Sequence, residues 1–314
     1  MMGPAANDRE PVGWKELAWN GVRVEIPPVW EPARIGARHL LIESETGPAM
    51  ELKWGPVRGQ FSHRSHFRRL LKVAAGRGGH ARQCALPAAW QEVLRRFESA
   101  GFSWVAGGTA ATGAILYCPR SRTGGLVQFF HPPAESSAIG LAAAVLDHLQ
   151  FNDPSGPARW AVFDIRAELP GRFALVHHRF EPGRFIMRLA AGRCRIDLHR
   201  WAPAAVLLTG CSLIRFAQTL AGWGSLQFHT VEGPGPPAVE GHTPAAAGLW
   251  ERLAEGFGLR TVCRARLWHV PERNRILGLS LQERGGIDSD AWEMAIRTYG
   301  VVDIKAAAGL HQPR

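Results

Sequence analysis

The sequence predicts an α+β fold built from two tandem repeats, each an antiparallel sheet flanked by helices. Short runs in which apolar and polar residues alternate, such as VRVEI at 22–26, recur at close spacing and predict antiparallel strands. Amphipathic segments of helical period separate these runs, so each half has the order strands, helix, strands, helix. With Pro119 aligned to Pro271, residues 110–150 and 262–300 share a pattern of strand, polar turn, strand, loop and helix, which predicts an internal duplication.

The domain organisation follows from the length and from breaks in the periodicity. A chain of 314 residues accommodates two domains, and its 46% hydrophobic and 20% charged residues are typical of a soluble globular protein. The stretch NDPSGP interrupts every pattern and predicts the boundary between the domains. We expect a mobile tail at 1–13, a first α+β repeat at 14–151, a second α+β repeat at 158–303 and a frayed tail at 304–314.

The first half opens with a meander of strands that leads into a helix over residues 61–75. Ser62 is suited to cap the start of this helix, and Gly76 to end it, because glycine tolerates the left-handed cap conformation. Four apolar residues recur at helical spacing and predict its buried stripe: Phe67, Leu70, Leu71 and Ala74. The elements predicted for this half are strands at 22–26, 39–45, 49–54, 102–106, 114–117 and 126–130 and helices at 61–75, 87–99 and 136–150.

The second half repeats this order with different residues. Trp201 precedes a proline closely, as Trp54 does in the first half, and both tryptophans are predicted to anchor the core. The final helix is predicted to be capped by Asp288 or Ser289. The other elements predicted here are strands at 160–169, 174–180, 185–189, 195–199, 260–268 and 275–282, helices at 204–221 and 249–257, and a proline-rich loop at 232–244.

The opening segment VRVEIPPVW is an alternating strand that ends in proline and is followed by Trp30. This segment and the order of elements resemble the PsbP-like fold, in which a central antiparallel sheet is flanked by helices. The resemblance covers each half and lies in the pattern, and the second half departs from it because no tryptophan follows Pro170. It implies a binding or assembly-factor role, since proteins of that fold are mostly non-catalytic.

The composition constrains the compartment and the chemistry. No apolar run reaches the ~20 residues of a membrane-spanning helix, and residues 1–20 lack the apolar core of a secretory signal, so we expect a cytoplasmic protein without a membrane span. Five cysteines without a CxxC pair predict free thiols. The glycine-rich stretch 107–113 lacks the lysine of a phosphate loop and predicts a hairpin loop. No catalytic triad, cofactor motif or metal motif is present, so we expect no cofactor.

A basic helix is the most distinctive candidate site. The net charge is +10, and between Glu51 and Glu92 the chain carries many arginines and histidines but no acid. Arg64, Arg68 and Lys72 are four residues apart, so they share one stripe of the helix, where like charges repel. The residues predicted to meet an anionic partner on this helix are Arg64, Arg68, Arg69 and Lys72. The alternative is an ordinary solvated face whose charges are balanced by acids elsewhere in the fold.

Two further arginines, Arg120 and Arg122, lie in the turn PRSRTGG between two predicted strands. A basic tip recurs at 272–275 in the second half, so each half offers arginines that could grip a carboxylate or phosphate. The alternative is that these are ordinary exposed loop arginines.

Three functions remain open from the sequence. The first is a non-enzymatic binding or assembly protein that contacts an acidic protein partner through the basic helix. The second is a nucleic-acid-binding protein that uses the same face, which would also need exposed aromatic rings for stacking. The third is an enzyme with its active site in the cleft between the repeats, with His63 or His66 as acid or base. This HxxH pair is otherwise read as two polar histidines on a basic helix rather than as metal ligands.

Overall fold

The chain folds into two compact units. The structure, a computed structural model, describes residues 13–76, 78–132, 138–153, 156–233, 235–246, 260–284 and 287–302. The first unit contains the described residues up to Asp153, together with Arg159–Asp164 and Val302, and the second contains Ile165–Val301 and the described residues 156–158. Residues 159–164, which the sequence placed in the second repeat, thus lie in the first unit. The helix predicted at 249–257 and the tails at 1–12 and 304–314 lie outside the described residues.

The first unit is built mainly from strands. Its strands are β1 (Lys15–Trp19), β2 (Val22–Ile26), β3 (Glu31–Gly36), β4 (His39–Ser44), β5 (Gly47–Pro56), β6 (His80–Cys84), β7 (Glu98–Ala106), β8 (Thr109–Cys118), β9 (Thr123–His131), β10 (Gln150–Phe151) and β11 (Pro157–Val162). Its helices are α1 (His63–Ala75), α2 (Ala88–Val93) and α3 (Ala138–Asp147).

Seven strands of the first unit form an antiparallel sheet in the order β3-β4-β5-β9-β8-β7-β6. Strands β10, β2, β1 and β11 are neighbours in that order in a separate sheet. Strand β2 illustrates how alternation in the sequence favours a strand. Val22, Val24 and Ile26 are buried on one face, and the charged residues between them are half-buried on the other. The rings of Trp19 and Trp160 meet edge to face at 5.6 Å in this core.

The second unit contains the remaining described elements. Its strands are β12 (Ile165–Pro170), β13 (Ala174–Glu181), β14 (Arg184–Ala191), β15 (Cys194–Trp201), β16 (Gln227–Val231), β17 (Ala238–His242), β18 (Thr261–Val270), β19 (Arg275–Arg284) and β20 (Gly300–Val301). Its helices are α4 (Ala204–Leu207), α5 (Leu213–Thr219) and α6 (Ser289–Thr298), with a 3-10 turn at Pro271–Arg273.

Seven strands of the second unit form an antiparallel sheet in the order β13-β14-β15-β19-β18-β17-β16. Its chain order therefore matches that of the first sheet, with the third strand pairing with the last. One face is covered by α5 and the turns around it, where Trp201, Phe216 and Trp223 pack in one apolar cluster. Helix α6 packs along β12 and β19 through Trp292, over which the Arg264 guanidinium lies at 4.5 Å.

Local signals in the sequence placed several elements well. The Ser62 hydroxyl accepts a hydrogen bond from the Ser65 amide at 3.3 Å at the start of α1. The Asp288 carboxylate accepts one from the Ala291 amide at 3.0 Å at the start of α6. Glycine 76 ends α1 as expected but in the right-handed conformation, with φ −64°, so the predicted left-handed cap is wrong.

Other predicted elements differ from the structure. The helix expected at 204–221 is divided into α4 and α5, and Gly210 with φ +66° lies in the turn between them. The helix expected at 87–99 ends at Val93, and β7 begins at Glu98. Strands β3 and β6 were not predicted because they are edge strands rich in polar residues, and β3 contains Pro32 next to a bulge.

The antiparallel sheets that the sequence predicts are confirmed. The described helices are short and few beside twenty strands, so the fold is mainly β rather than an even α+β mixture. None of the helices within the described residues is both long and apolar enough to cross a membrane.

Candidate functional site

An open cavity of about 700 Å³ lies in the first unit, between α1 and strands β5 and β9. It combines backbone and side chains of these three elements with the segment that joins β5 to α1. We call it the α1 groove and define it by eight of the residues that line it: Lys53, Arg58, Phe61, His66, Arg69, Leu70, Val73 and Gly124.

Helix α1 is attached to the sheet by a small part of its surface. Ala74 is its one buried residue, whereas Leu71 is 39% exposed and Val73 is 56% exposed. The predicted buried stripe is therefore only partly buried. The backbone before the helix is fixed by the Val57 amide, which donates to the Arg122 carbonyl at 2.8 Å. This arrangement leaves one side of the helix free to form a wall of the groove.

An aromatic stack holds the entrance of α1 against the sheet. The Phe61 ring lies 4.8 Å from Tyr117 at 10° and 4.9 Å from His66 at 26°, so it is stacked against both. Gly124 makes room for this stack, because a Cβ there would lie 2.7 Å from the Phe61 ring. The Phe61 ring is therefore engaged with two other rings of the first unit.

The charge of the groove is positive. Lys53, Arg58 and Arg69 line it, and no acid of the described chain forms an ion pair with either arginine. Glu51 also lines it, but its Oε1 accepts from Lys53 Nζ at 2.7 Å and lies 2.8 Å from His39 Nε2. The other oxygen of Glu51 accepts from the Gln128 amide at 2.7 Å. The single carboxylate of the groove is thus already engaged, which leaves both arginines available to an anion.

His66 contributes a polar group to the groove without adding a charge. Burial lowers the pKa of its imidazole, and the positive charges of Arg69 and His63 lower it further. The ring is therefore neutral at pH 7. The neighbouring His63 lies with Nε2 3.1 Å from the Glu98 carbonyl.

The structure divides the residues that the sequence assigned to the basic helix. Arg69 lines the groove, whereas Arg64, Arg68 and Lys72 are exposed and do not line it. Their positions along the helix place them on its outer surface, away from the groove. None of the four forms an ion pair with an acid of the described residues.

The two hairpin arginines have different surroundings. Arg120 is paired with Asp153 through a 3.0 Å contact. Arg122 has a left-handed backbone, φ +50°, and its carbonyl accepts the Val57 bond described above. Its exposed guanidinium forms no ion pair within the described residues. In the second unit Arg275 instead donates to the carbonyls of its own turn.

Sequence reasoning missed the groove itself. Lys53, Arg58 and Phe61 all lie in the acid-free run between Glu51 and Glu92, whose composition alone does not bring them together. Lys53 lies two residues after Glu51 on β5, so strand period could have predicted that the two side chains share one face. Arg58 lies outside any regular element, where no periodicity indicates direction. Among the described residues, no group of three or more His, Cys, Asp or Glu side chains could hold a metal ion.

Comparisons with known proteins give no assignment. No protein-family model matches this chain, and no curated protein matches it. A solved structure from Bacteroides thetaiotaomicron VPI-5482 is similar with a TM-score of 0.30 and 14% sequence identity. The similarity covers 49% of this chain and 53% of that chain, so it spans about half the length of each. A likeness at this level carries no argument about function.

Proposed function

We propose that the protein is a non-enzymatic binding protein whose first unit takes up an acidic segment of another protein in the α1 groove. The observation that carries this proposal is the pairing of unneutralised arginines with exposed apolar side chains in one concave surface. Arg58 and Arg69 have no acid partner in the described chain, and Leu70 and the 56% exposed Val73 line the same cavity. A ligand that carries both carboxylates and apolar side chains would satisfy both properties.

The outer surface of α1 extends the positive field beyond the groove. Arg64, Arg68 and Lys72 are exposed there, and Arg122 is exposed on the neighbouring hairpin. Such a field speeds the encounter with an acidic protein while adding little to the bound contacts. We therefore assign Arg58 and Arg69 to holding the ligand, and the outer residues to attracting it.

Nucleic acid is less well supported because bases need exposed aromatic rings. The Phe61 ring is stacked with Tyr117 and His66, and Trp54 is 7% exposed with its indole N–H donating to the Asn20 carbonyl at 2.9 Å. A catalytic role for the groove is also less well supported. His66 and Glu51 both line it, but the carboxylate oxygens of Glu51 are engaged by Lys53 and Gln128.

Two architectural hypotheses belong to the same proposal. The matching strand order of the two seven-stranded sheets supports an internal duplication in which each repeat is a sheet with flanking helices. The resemblance to the PsbP-like fold supports a role in binding or assembly. Among the described residues the basic groove beside a helix lies in the first unit, so a duplication would have been followed by divergence of one copy into the binding module.

The test is a titration with a short synthetic peptide of alternating glutamate and leucine, followed by calorimetry. The double variant Arg58→Gln/Arg69→Gln removes two charges from the groove. The matched control Arg64→Gln/Arg68→Gln removes two charges from the outer surface of the same helix. We expect the groove variant to bind at least about tenfold more weakly, and the control to lose no more than about threefold.

The competing functions give different results. An equal loss of peptide affinity in both variants would show that the peptide responds to the overall positive charge of the helix. It would overturn the assignment of the binding site to the groove. Preferential binding of a single-stranded oligonucleotide, with a log–log salt slope of about −0.7 per phosphate contact, would favour nucleic acid instead.

A further inference from the structure

A second cluster of arginines lies at one end of the sheet in the second unit. Arg195 on β15 lies opposite Gln282 on β19. Arg284, two residues after Gln282 on β19, lies opposite Thr261 on β18. These side chains share one face of the sheet because cross-strand partners point to the same side. Together with Arg193, they line a shallow cavity of about 310 Å³.

Among the residues that the structure describes, no carboxylate lines this cavity. The acid next along the same face of β15 is Asp197, and Arg188 holds it through Nε at 3.0 Å from Oδ1 and Nη2 at 2.9 Å from Oδ2. The charge of Asp197 is therefore neutralised by Arg188 on the neighbouring strand β14. Arg195 forms a longer ion pair with the same carboxylate, with its buried Nε 3.6 Å from Oδ1. Arg193, Arg195 and Arg284 thus line one cavity, and the acid beside it, Asp197, is already bound by Arg188.

We propose that Arg193, Arg195 and Arg284 form a binding site for a phosphate group, with Thr261 and Gln282 as further hydrogen-bond donors. A phosphate monoester carries nearly two negative charges and three terminal oxygens that each accept hydrogen bonds. A planar guanidinium donates two parallel bonds to such oxygens, so three of them match a tetrahedral anion better than a two-oxygen carboxylate. This site is separate from the α1 groove and does not depend on the function proposed for it.

The test uses the whole chain and inorganic phosphate as the probe. Calorimetric titration is carried out with ionic strength matched by chloride at about 0.15 M. We expect saturable binding that the double variant Arg193→Gln/Arg284→Gln weakens at least about tenfold. Both arginines are exposed, so the substitutions spare the core. The matched control is Arg179→Gln/Arg215→Gln, which removes two exposed charges elsewhere in the same unit and should leave the affinity unchanged.

Further arms identify the source of the phosphate and the location of the site. Binding of O-phosphoserine as strong as that of inorganic phosphate would indicate a phosphomonoester, and binding of inorganic phosphate alone would indicate the free ion. The variant Arg58→Gln/Arg69→Gln should retain phosphate binding, since its substitutions lie in the first unit. The proposal is overturned if the wild type shows no saturable binding, if acetate binds as strongly as phosphate, or if the control loses as much affinity as the double variant.

Discussion

In the first unit Glu51 on β5 lies opposite Gln128 on β9, and in the second unit Asp197 on β15 lies opposite Ser280 on β19. Each sheet therefore carries an acid on its third strand, next to a polar residue of the strand that comes last in the sheet's chain order. The two acids are neutralised differently. Glu51 is shared by a histidine, a lysine and an amide, whereas Asp197 accepts hydrogen bonds from two nitrogens, Nε and Nη2, of the Arg188 guanidinium.

The surroundings of the two acids differ more than the acids do. Beside Glu51 the face stays open as the α1 groove, with basic side chains around it. Beside Asp197 the face is closed by Trp201, Trp223 and the buried His199, whose ring stacks on Trp201 at 5.0 Å and 4°. One sheet order thus supports an open polar surface and a closed aromatic core. The side chains that cover the sheet, rather than the order of its strands, decide which of the two forms.

The largest effect should come from adding one methyl group to each sheet. A Cβ at Gly278 would lie 2.6 Å from the buried Trp201 ring, whereas a Cβ at Gly124 would lie 2.7 Å from the half-buried Phe61 ring. We expect Gly278→Ala to lower the free energy of unfolding by about 3 kcal/mol and Gly124→Ala by about 1 kcal/mol, because the enclosed tryptophan cannot move aside. Denaturant titrations measure both, and equal losses would contradict the distinction between closed and open faces.

The closed face should also make the second unit sensitive to acid. Burial lowers the pKa of His199 to about 4 from 6.5; the positive charges of Arg184, Arg188 and Arg195 also lower it, and Asp197 opposes them. Between these pH values the unfolded chain binds a proton that the folded chain does not. Stability is therefore full above pH 6.5 and falls as the pH drops towards 4, by about 3 kcal/mol in total.

The substitution His199→Phe separates this contribution from that of the carboxylates. Its unfolding free energy, measured by denaturant titration from pH 7 to 4.5, should fall less steeply than that of the wild type. Parallel curves for the two proteins would show that His199 is not the group responsible.

Substitution of the two acids should change stability by smaller amounts. Asp197→Asn leaves the Arg188 guanidinium with a weaker partner, and we expect a loss of about 2 kcal/mol because the Asp197 side chain is buried. Glu51→Gln should cost about 1 kcal/mol, since Lys53 can turn to solvent. Thermal unfolding of the two variants measures the difference, and a greater loss for Glu51→Gln would reverse the comparison.

The smallest effect concerns exposed apolar residues. Val73→Ser in the α1 groove and Val206→Ser on α4 each alter a side chain that is more than half exposed, so we expect less than about 0.5 kcal/mol in stability for either. Only Val73→Ser should weaken binding of the glutamate–leucine peptide. Equal peptide affinity in both variants would remove the apolar contribution from the proposed groove.

The sequence predicts what is encoded locally. The alternation in VRVEI placed β2, and Ser62 and Asp288 marked two helix starts, because period and capping involve neighbouring residues. The break between α4 and α5 was missed because the alanine- and leucine-rich run satisfies a helical period across it. The predicted α+β fold class therefore contained more helix than the structure does.

The sites depend on residues that are distant in the chain. Arg69 was predicted as part of a stripe, but its separation from Arg64 and Arg68 depends on where α1 rests on the sheet. Arg195 and Arg284 are brought together by the register of β15 and β19. β15 and β19 are far apart in the chain, so no local pattern shows that these two arginines lie at the same end of the sheet.

The placement of Lys53 has a practical consequence for chemical labelling. The chain has four lysines, of which Lys305 lies outside the described residues. Lys15 is paired with Glu31, and Lys53 is paired with Glu51 but remains 54% exposed in the α1 groove; Lys72 is exposed on α1, outside the groove. A carbodiimide joins an amine to a carboxylate in direct contact with it, so an acidic partner in this groove would be captured at Lys53. Mass spectrometry of that one cross-linked peptide would then identify the partner.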